Sequence, residues 1–129
     1  MSKTDYLEII KKEGDLKIWK HKGILCMIRR HPGFLHLCGY VACERGHPLF
    51  KKTYTDLSSC VHGGLTFSGS WGGKDLWWFG FDCAHCGDAV FYKGKVEIAG
   101  EVYRDMNYVT KETERLAEWL KRQGVKKNG

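Results

Sequence analysis

The chain has 129 residues, of which 43% are hydrophobic and 28% are charged, and this composition is typical of a folded globular protein. No apolar run approaches the roughly 20 residues of a membrane-spanning helix, and the charged first residues do not form a secretory signal. The formal net charge of +6 is compatible with an anionic partner, but much of the excess lies in lysines near the two ends, where lysines usually keep a protein soluble. We therefore expect a cytoplasmic protein with no membrane partner, and we disfavour nucleic acid as its ligand.

The first third of the chain predicts a helix followed by three strands. Residues 5–12 can form a short helix, which ends at the turn marked by Gly14. Residues 16–20 and 24–30 are predicted to be the two strands of a hairpin, with a glycine in the turn between them. Residues 34–43 are predicted to form a longer strand. Because its middle is apolar on both faces, we expect it at the centre of the sheet.

The rest of the chain predicts a loop-rich segment, one more buried strand and a final helix. Residues 44–74 are rich in Gly, Ser and Thr, as loops that carry function often are. The aromatic run 76–81 predicts a strand buried on both faces, and a loop or short hairpin follows around residues 93–95. Residues 106–122 predict an amphipathic helix that Asp105 or Asn107 caps and Gly124 ends. Its apolar stripe holds Val109, Leu116, Ala117 and Leu120, with Thr113 between them, and Glu112, Glu114, Glu118 and Arg122 are expected to point away.

These elements predict one small α+β domain over residues 1–129, with a basic tail from about residue 123. The sheet is expected to be mostly antiparallel, with a loop-rich centre and the C-terminal helix packed on the sheet. The six cysteines are expected to be reduced thiols, and Cys26 and Cys38 to be core residues.

The side chains that could carry chemistry are concentrated between residues 47 and 88. Asp82 ends the aromatic strand, and a buried acid needs a partner because an unpaired buried charge is costly. His85 lies three residues further on, and an Asp–His pair fixes the tautomer of the imidazole. Gly63 and Gly64 follow His62 and let the backbone approach another group closely. The same features also fit an ordinary buried polar network.

The first functional interpretation is acid–base or metal-assisted hydrolysis. His62, His85 and Asp82 are the predicted catalytic residues, and the same three could bind a divalent metal such as zinc. No standard spacing of a metal-dependent enzyme occurs in the chain. A nucleotide-like small molecule would be held by a wider set of residues: His47, Gly63, Gly64, Thr66, Trp71, Asp88 and Arg104.

Two other interpretations stay open. Cys83-x-x-Cys86 has the spacing of a zinc knuckle, so the centre of the chain could be a structural zinc module. Its remaining ligands would be Cys60 with His62, or Cys43 with His47. The third interpretation is a binding module without chemistry, in which aromatic residues stack on a ring while Arg45 or Arg104 holds a phosphate. Among the aromatic residues, Trp71 is expected to be the most exposed.

Several long motifs resemble a widespread family of small bacteriophage proteins. The resemblance covers roughly residues 34 to 120 and rests on stretches 39–41, 44–48, 61–69, 77–85 and 103–105, with Asp88 and the closing helix. It implies a phage-encoded protein of the infected bacterial cell. The family pattern has His, Asp or Cys at His47, His62, Asp82, Cys83, His85 and Asp88. It does not require cysteine at Cys43, Cys60 or Cys86, and this disfavours a cysteine-rich zinc site.

The functional prediction is a small hydrolase that acts on a phosphate-containing or nucleotide-like molecule. By analogy with other small phage proteins, this activity would serve counter-defence against host immunity. The first alternative is a sponge that sequesters a nucleotide second messenger without altering it. The second alternative is a protein-binding inhibitor or a structural zinc module. A homo-oligomer is compatible with each of them.

Overall fold

Five antiparallel strands form the sheet on which the rest of the protein is built. The structure is a computed structural model that describes residues 3–59, 61–71, 73, 75–84, 88, 90–92, 95–97 and 102–126. The elements in chain order are α1 (Lys3–Glu13), β1 (Leu16–His21), β2 (Ile24–Arg30), β3 (Leu37–Glu44), a short 3-10 helix (Tyr54–Asp56), β4 (Phe67–Gly69), β5 (Leu76–Asp82), β6 (Val90–Tyr92), β7 (Lys95–Glu97) and α2 (Met106–Lys126).

The order of the strands in the sheet is β1-β2-β3-β5-β4, so β3 lies at the centre as predicted. β1 and β2 form the predicted hairpin, and Lys22 and Gly23 both have positive φ angles, of 50° and 85°, at its turn. Two consecutive residues with positive φ match the twist of a two-residue hairpin. β6 and β7 pair as a separate two-stranded sheet, which confirms the short hairpin expected in that region.

One face of the five-stranded sheet is covered by α2. The side chains of β2, β3 and β5 that point towards the helix form the core, and Ile28, Val41 and Phe79 are fully buried there. The stripe predicted for α2 is confirmed, because all of its members are fully buried: Val109, Thr113, Leu116, Ala117 and Leu120. The protein is therefore a single α+β domain with its C-terminal helix packed on an antiparallel sheet. Within the described ranges, no helix has the length and apolarity needed to cross a membrane.

Several predictions about α2 were wrong. Glu114 and Glu118 were expected to point away from the sheet, but each contacts a side chain of β1. Glu112 was expected to point away from the sheet, but only 6% of it is exposed, because the buried face of the helix is wider than the apolar stripe. Gly124 was expected to end the helix, yet α2 continues to Lys126. A Cβ on Gly124 would lie 3.2 Å from the ring of His47, so glycine is used here where the helix passes a side chain closely.

The central strand approaches α2 closely at Gly39. A Cβ atom at this position would lie 2.5 Å from Cε1 of Phe81 and would also overlap Oγ1 of Thr113 on the helix. Glycine therefore allows β3 and α2 to pack at a distance that any other residue would increase.

A buried arginine joins the beginning of α2 to the first third of the chain. Arg30 lies at the end of β2, and its side chain is only 2% exposed. Its Nε donates to Oδ1 of Asp15 at 2.9 Å, and its Nη2 donates to Oε2 of Glu13 at 3.1 Å. Its Nη1 donates to the hydroxyl of Tyr103 at 2.8 Å, just before α2 begins. Two backbone carbonyls, of Gly14 and Leu35, accept its remaining hydrogen bonds.

Glu13 carries this network to the helix itself. Its Oε2 accepts from the Tyr103 hydroxyl at 2.7 Å, while its Oε1 accepts from the backbone amide of Met106 at 2.8 Å. Asp105 caps the next free amide, since its Oδ1 accepts from the backbone N–H of Tyr108 at 2.8 Å. Asp105 is thus one of the two caps that the sequence predicts. The position at which α2 starts is fixed by two carboxylates, one of which comes from α1.

Replacing Arg30 with Met should lower the free energy of unfolding by about 3 kcal/mol or more, because Glu13 would be left without its buried cation. Arg29→Met is the matched control, since Arg29 is the adjacent residue of β2 and is exposed on the other face. It should change the free energy by no more than about 0.5 kcal/mol. Urea unfolding of the two variants measures both values. Equal effects would show that the buried network contributes no more than a surface arginine.

Replacing Gly39 with Ala should destabilise the protein by about 1–3 kcal/mol, because the added methyl group overlaps Phe81 and Thr113. Gly33→Ala is the control: Gly33 is exposed, and the nearest atom to its added Cβ is 3.4 Å away. Thermal unfolding should show a large decrease in Tm for the first variant only. A Gly39→Ala protein as stable as the control would contradict the close packing of β3 and α2.

Candidate functional site

The ring of His62 is held between an acid and a phenol. Its Nε2 lies 2.7 Å from Oδ2 of Asp88, and its Nδ1 lies 2.7 Å from the hydroxyl oxygen of Tyr108. The rings of His62 and Tyr108 are perpendicular, with centroids 5.4 Å apart. The side chain of His62 is 13% exposed, so this row of groups lies at the boundary between core and solvent.

Asp88 links the histidine to an arginine. Its side chain is 1% exposed, and its second oxygen, Oδ1, accepts from Nε of Arg104 at 2.9 Å. A carboxylate this deeply buried needs such partners, since an isolated charge would be very costly. The hydrogen bond with Asp88 raises the pKa of the Arg104 guanidinium above its ordinary value. Asp88 and Arg104 therefore act as an ion pair that keeps negative charge beside the ring of His62.

A tight turn brings His62 to this position. Gly63 and Gly64 both have positive φ angles, of 68° and 79°, which glycine adopts without strain. The amide of Gly64 donates to the carbonyl of Val61 at 2.9 Å, and Val61 is buried in the core. The backbone amide of His62 donates to Oε1 of Glu112 at 2.8 Å. The turn is thus fixed to the core on one side and to α2 on the other.

Helix α2 supplies two of the groups that contact His62, while Asp88 lies outside the helix. Tyr108 and Glu112 are four residues apart and therefore lie on the same face of the helix, one turn from each other. Tyr108 contacts the ring and Glu112 contacts the backbone, while the other oxygen of Glu112 accepts from Arg115 at 2.7 Å. The position of His62 is consequently set by the register of α2.

The charges around Tyr108 keep its proton in place. Burial raises the pKa of the Tyr108 phenol, the nearby carboxylate of Glu112 raises it further, and the Arg104 cation acts in the opposite direction. The guanidinium carbon of Arg104 lies 4.8 Å from the centre of the Tyr108 ring. Tyr108 is therefore a neutral phenol at neutral pH, and a cation lies against its ring.

Three of the predicted site residues are brought together by the structure: His62, Asp88 and Arg104. Asp88 and Arg104 were predicted to bind the ligand, and Asp88 is the acid whose carboxylate contacts His62. Asp82 lies at the end of β5, where its Oδ1 accepts from the amide of Ala84 at 3.1 Å. The Asp82–His85 pair stays a prediction, because His85 lies outside the described residues.

His47 lies at the far end of α2. Its Nδ1 accepts from the amide of Leu49 at 3.0 Å, which places its proton on Nε2, and Nε2 donates to the carbonyl of Leu120 at 2.8 Å. Leu120 is twelve residues beyond Tyr108, which is about 18 Å along the axis at 1.5 Å per residue. His47 therefore binds the helix at a place remote from His62.

The remaining predicted ligand-binding residues are spread over the sheet and its loops. Trp71 lies across the sheet from α2 and stacks on Phe67, with ring centroids 4.7 Å apart. It also meets Tyr40 edge-on, at 4.6 Å. The amide of Thr66 donates to the carbonyl of Gly80 at 2.8 Å, next to β5. Gly63 and Gly64 form the turn beside His62, and their positive φ angles explain why glycine occupies both positions.

The structure gives limited support to the metal interpretations. Among the described residues, which omit Cys60, His85 and Cys86, no group of three His, Cys, Asp or Glu side chains could hold a metal ion. Both ring nitrogens of His62 are already within hydrogen-bonding distance of Asp88 and Tyr108, so metal binding by this ring would break one of these contacts.

The cysteines of the described ranges are core thiols. Cys26, Cys38, Cys43 and Cys83 are buried and free, as the sequence predicts for reduced cysteines. Burial raises the pKa of Cys83 strongly, and the nearby charge of Asp88 adds to this effect. Burial also raises the pKa of Cys43 to about 12. Both groups are therefore protonated thiols at neutral pH, whereas zinc ligands and redox nucleophiles are thiolates.

Two members of the site were not anticipated from the sequence. Tyr108 and Glu112 flank the apolar stripe of α2, and polar residues at such positions usually face solvent. One signal was present: they are four residues apart and lie beside Val109 and Thr113, so a wider buried face would include them. Because Glu112 was predicted to face solvent, this spacing was not taken to indicate a buried pair.

Comparisons with known proteins add no further constraint. No protein-family model matches the chain, and searches of curated proteins and of solved structures found no match either. The resemblance to small bacteriophage proteins stays a prediction from the motifs. The geometry around His62 is therefore the basis on which a function can be assigned.

Cys83 should resist alkylation in the folded protein, because its thiol is buried and its pKa is raised. Iodoacetamide at mildly alkaline pH, followed by peptide mass spectrometry, should label Cys83 only after urea is added. A chelator should leave this protection unchanged. Rapid labelling of Cys83 upon chelation alone would contradict the core assignment and support a zinc site.

Proposed function

We propose that this protein is a small hydrolase acting on a phosphate-containing or nucleotide-like molecule, with His62 as its base. The observation that carries the proposal is the placement of His62, 2.7 Å from the Asp88 carboxylate and 2.7 Å from the Tyr108 hydroxyl. An acid, an imidazole and a hydroxyl in one row are the parts of a proton-transfer system.

The direction of the proton transfer follows from the ion pair. Asp88 already accepts from Arg104, and its other oxygen is best used as the acceptor of an N–H on Nε2 of His62. The lone pair of Nδ1 then faces the Tyr108 hydroxyl and accepts its proton. When the ring becomes an imidazolium, Asp88 stabilises the positive charge, as carboxylates do in other acid–histidine pairs.

Tyr108 would relay a proton from the attacking water to His62. A water bound to the Tyr108 oxygen can pass a proton to that oxygen while Tyr108 passes its own proton to Nδ1. The resulting hydroxide forms a bond to phosphorus while the P–O bond to the leaving group breaks. The imidazolium then returns its proton through Tyr108 to the leaving oxygen. The raised pKa of Tyr108 favours this concerted relay over a free phenolate.

Arg104 is the group that would recognise phosphate. Only its Nε is used by Asp88, and the described residues offer no hydrogen bond to its two terminal nitrogens. Its side chain is 28% exposed, so these nitrogens can meet a ligand beside the Tyr108 hydroxyl. A guanidinium fork suits two phosphate oxygens in geometry and in charge.

The second candidate is a sponge that binds the same class of ligand without altering it. One observation favours it: both nitrogens of the His62 ring have partners within the protein, as is usual for a histidine with a structural role. In that case Arg104 and Tyr108 would hold the phosphate and no bond would break. Either function would suit a phage-encoded protein, which the family resemblance implies. A role against nucleotide signalling in the host cell rests on analogy with other small phage proteins.

The experiment that tests the proposal is incubation of the protein with cyclic nucleotides and with bis-(p-nitrophenyl) phosphate, followed by mass spectrometry of the products. His62→Asn should reduce turnover by about 10²–10⁴-fold, the usual contribution of a general base. Tyr108→Phe should have an effect of the same order, and Arg104→Lys should mainly raise KM. His31→Asn is the histidine control and should be active. Repeating the assay with a chelator, and then with added zinc, tests metal assistance.

The outcomes separate the candidates. A ligand that is recovered unchanged from the denatured complex, and whose binding requires Arg104, would support the sponge. Turnover that survives His62→Asn in a variant with an unchanged Tm would exclude the proposed base. No turnover and no binding across the panel would contradict both candidates.

A further inference from the structure

A cavity bounded by described residues lies away from His62, at the end of the sheet that holds the β1–β2 hairpin and mainly on the face that α2 leaves open. It has a volume of about 480 Å³ and lies beside the turn of the β1–β2 hairpin. The strand register places Lys20, Leu25 and Ala42 in one row across β1, β2 and β3 on this face. The next pair in the same direction is Glu44 with Leu76 of β5.

The depression exists because the middle of the row is small. Ala42 is buried, and its side chain is a single methyl group. Its neighbours across the sheet are Leu25 and Trp78, and Leu76 lies diagonally from it, one pair closer to the hairpin end. Ile24 adds another apolar wall at the hairpin end. A volume of this size, lined by aliphatic groups with a few polar residues, is typical of sites for small organic ligands.

Among the residues that line the cavity, positive charges outnumber negative ones. Lys20 and Arg45 contribute two cations and Glu44 contributes one carboxylate. Lys20 is exposed, and within the described part of the chain it makes no ion pair. Arg45 uses its Nε for Asp75, at 3.1 Å, but Asp75 is 90% exposed and such a pair is weak. A ligand group can therefore compete for both cations.

We propose that this cavity binds an amphipathic monoanion, that is, an apolar body that carries one carboxylate or sulfonate group. The body would lie over Ala42 between Leu25 and Leu76, and the anion would lie between Lys20 and Arg45. Glu44 sets the limit of one charge, because it would repel a second negative group on the same ligand. The site thus differs in chemistry from the phosphate-binding group Arg104.

The cavity is also separate in space from the proposed catalytic row. It is lined by His47, which binds the carbonyl of Leu120 near the end of α2. The groups that hold His62 come from Tyr108 and Glu112, near the beginning of the same helix. The proposal is therefore independent of the hydrolase, and either can fail alone.

A pair of fluorescent probes tests it. 1-Anilinonaphthalene-8-sulfonate and N-phenyl-1-naphthylamine share the same rings, but only the first carries a negative charge. The charged probe should bind more tightly to the wild-type protein. The double variant Lys20→Met, Arg45→Met should weaken the charged probe by about tenfold and leave the neutral probe unchanged. Ala42→Leu should weaken both probes, because it fills the depression.

Three controls make the result specific. Lys11→Met, an exposed lysine of α1, should affect neither probe. Ile18→Thr changes an exposed residue of the same open face, outside the cavity, and should also have no effect. Decanoate should displace the charged probe, whereas adenosine triphosphate should not.

The proposal would be overturned by any of three results. The charged probe could bind the double methionine variant as tightly as wild type, or Ile18→Thr could remove its binding instead of Ala42→Leu. Displacement by adenosine triphosphate at lower concentration than decanoate would exclude a monoanion site. The charge variants alter exposed side chains, so their test does not depend on the folding of Ala42→Leu.

Discussion

The buried guanidinium of Arg30 is the interaction on which the rest of the structure depends. Burial by itself lowers its pKa, but hydrogen bonds with Tyr103, Glu13 and Asp15 outweigh this effect and raise the pKa above its ordinary value. The same bonds join the end of α1, the start of β1 and the segment before α2. Because Glu13 also accepts the first free amide of α2, the cation indirectly sets where this helix begins. Tyr108 and Glu112, which contact His62, lie on the first turns of that helix, so the geometry of the candidate site depends on a buried charge at the end of β2.

The candidate site and the open-face cavity use the sheet in different ways. The row around His62 is made of polar groups that satisfy one another, and the chemistry proposed for it would come from moving protons along these contacts. The cavity beside Ala42 is lined by aliphatic side chains and by the charged side chains of Lys20, Glu44 and Arg45, and its selectivity would come from shape and net charge. His47 lines the cavity and binds the backbone of α2 near the end of the helix, remote from His62.

The fold could be predicted because periodicity is a local property of the chain. The hairpin of β1 and β2, the apolar middle of β3 and the stripe of α2 each show in a short window of residues. All of them were found, although β3 begins at Leu37 and the predicted strand began at residue 34. The partners of polar residues could not be predicted in this way, because they are set by contacts between distant segments. Arg30 finds Tyr103, and His62 finds Tyr108, 46 residues further along. Glu112 shows the difficulty most clearly, because a glutamate on a helix is expected to face solvent. Its carboxylate is buried because it accepts a hydrogen bond from the backbone amide of His62, and the turn at Gly63 and Gly64 brings this amide to the helix.

The contacts between β1 and α2 join segments that are far apart in the order of synthesis. Lys17 reaches Thr110, Trp19 reaches Glu114 and His21 reaches Glu118, across separations of 93, 95 and 97 residues. The hairpin can form as soon as β2 has been made, but the face that it offers to α2 stays open until the helix leaves the ribosome. At about 5–20 residues per second, this delay lasts several seconds. During that time the apolar face of the sheet is accessible to chaperones, and the nascent chain would rely on them more than a domain of the same size built from local contacts.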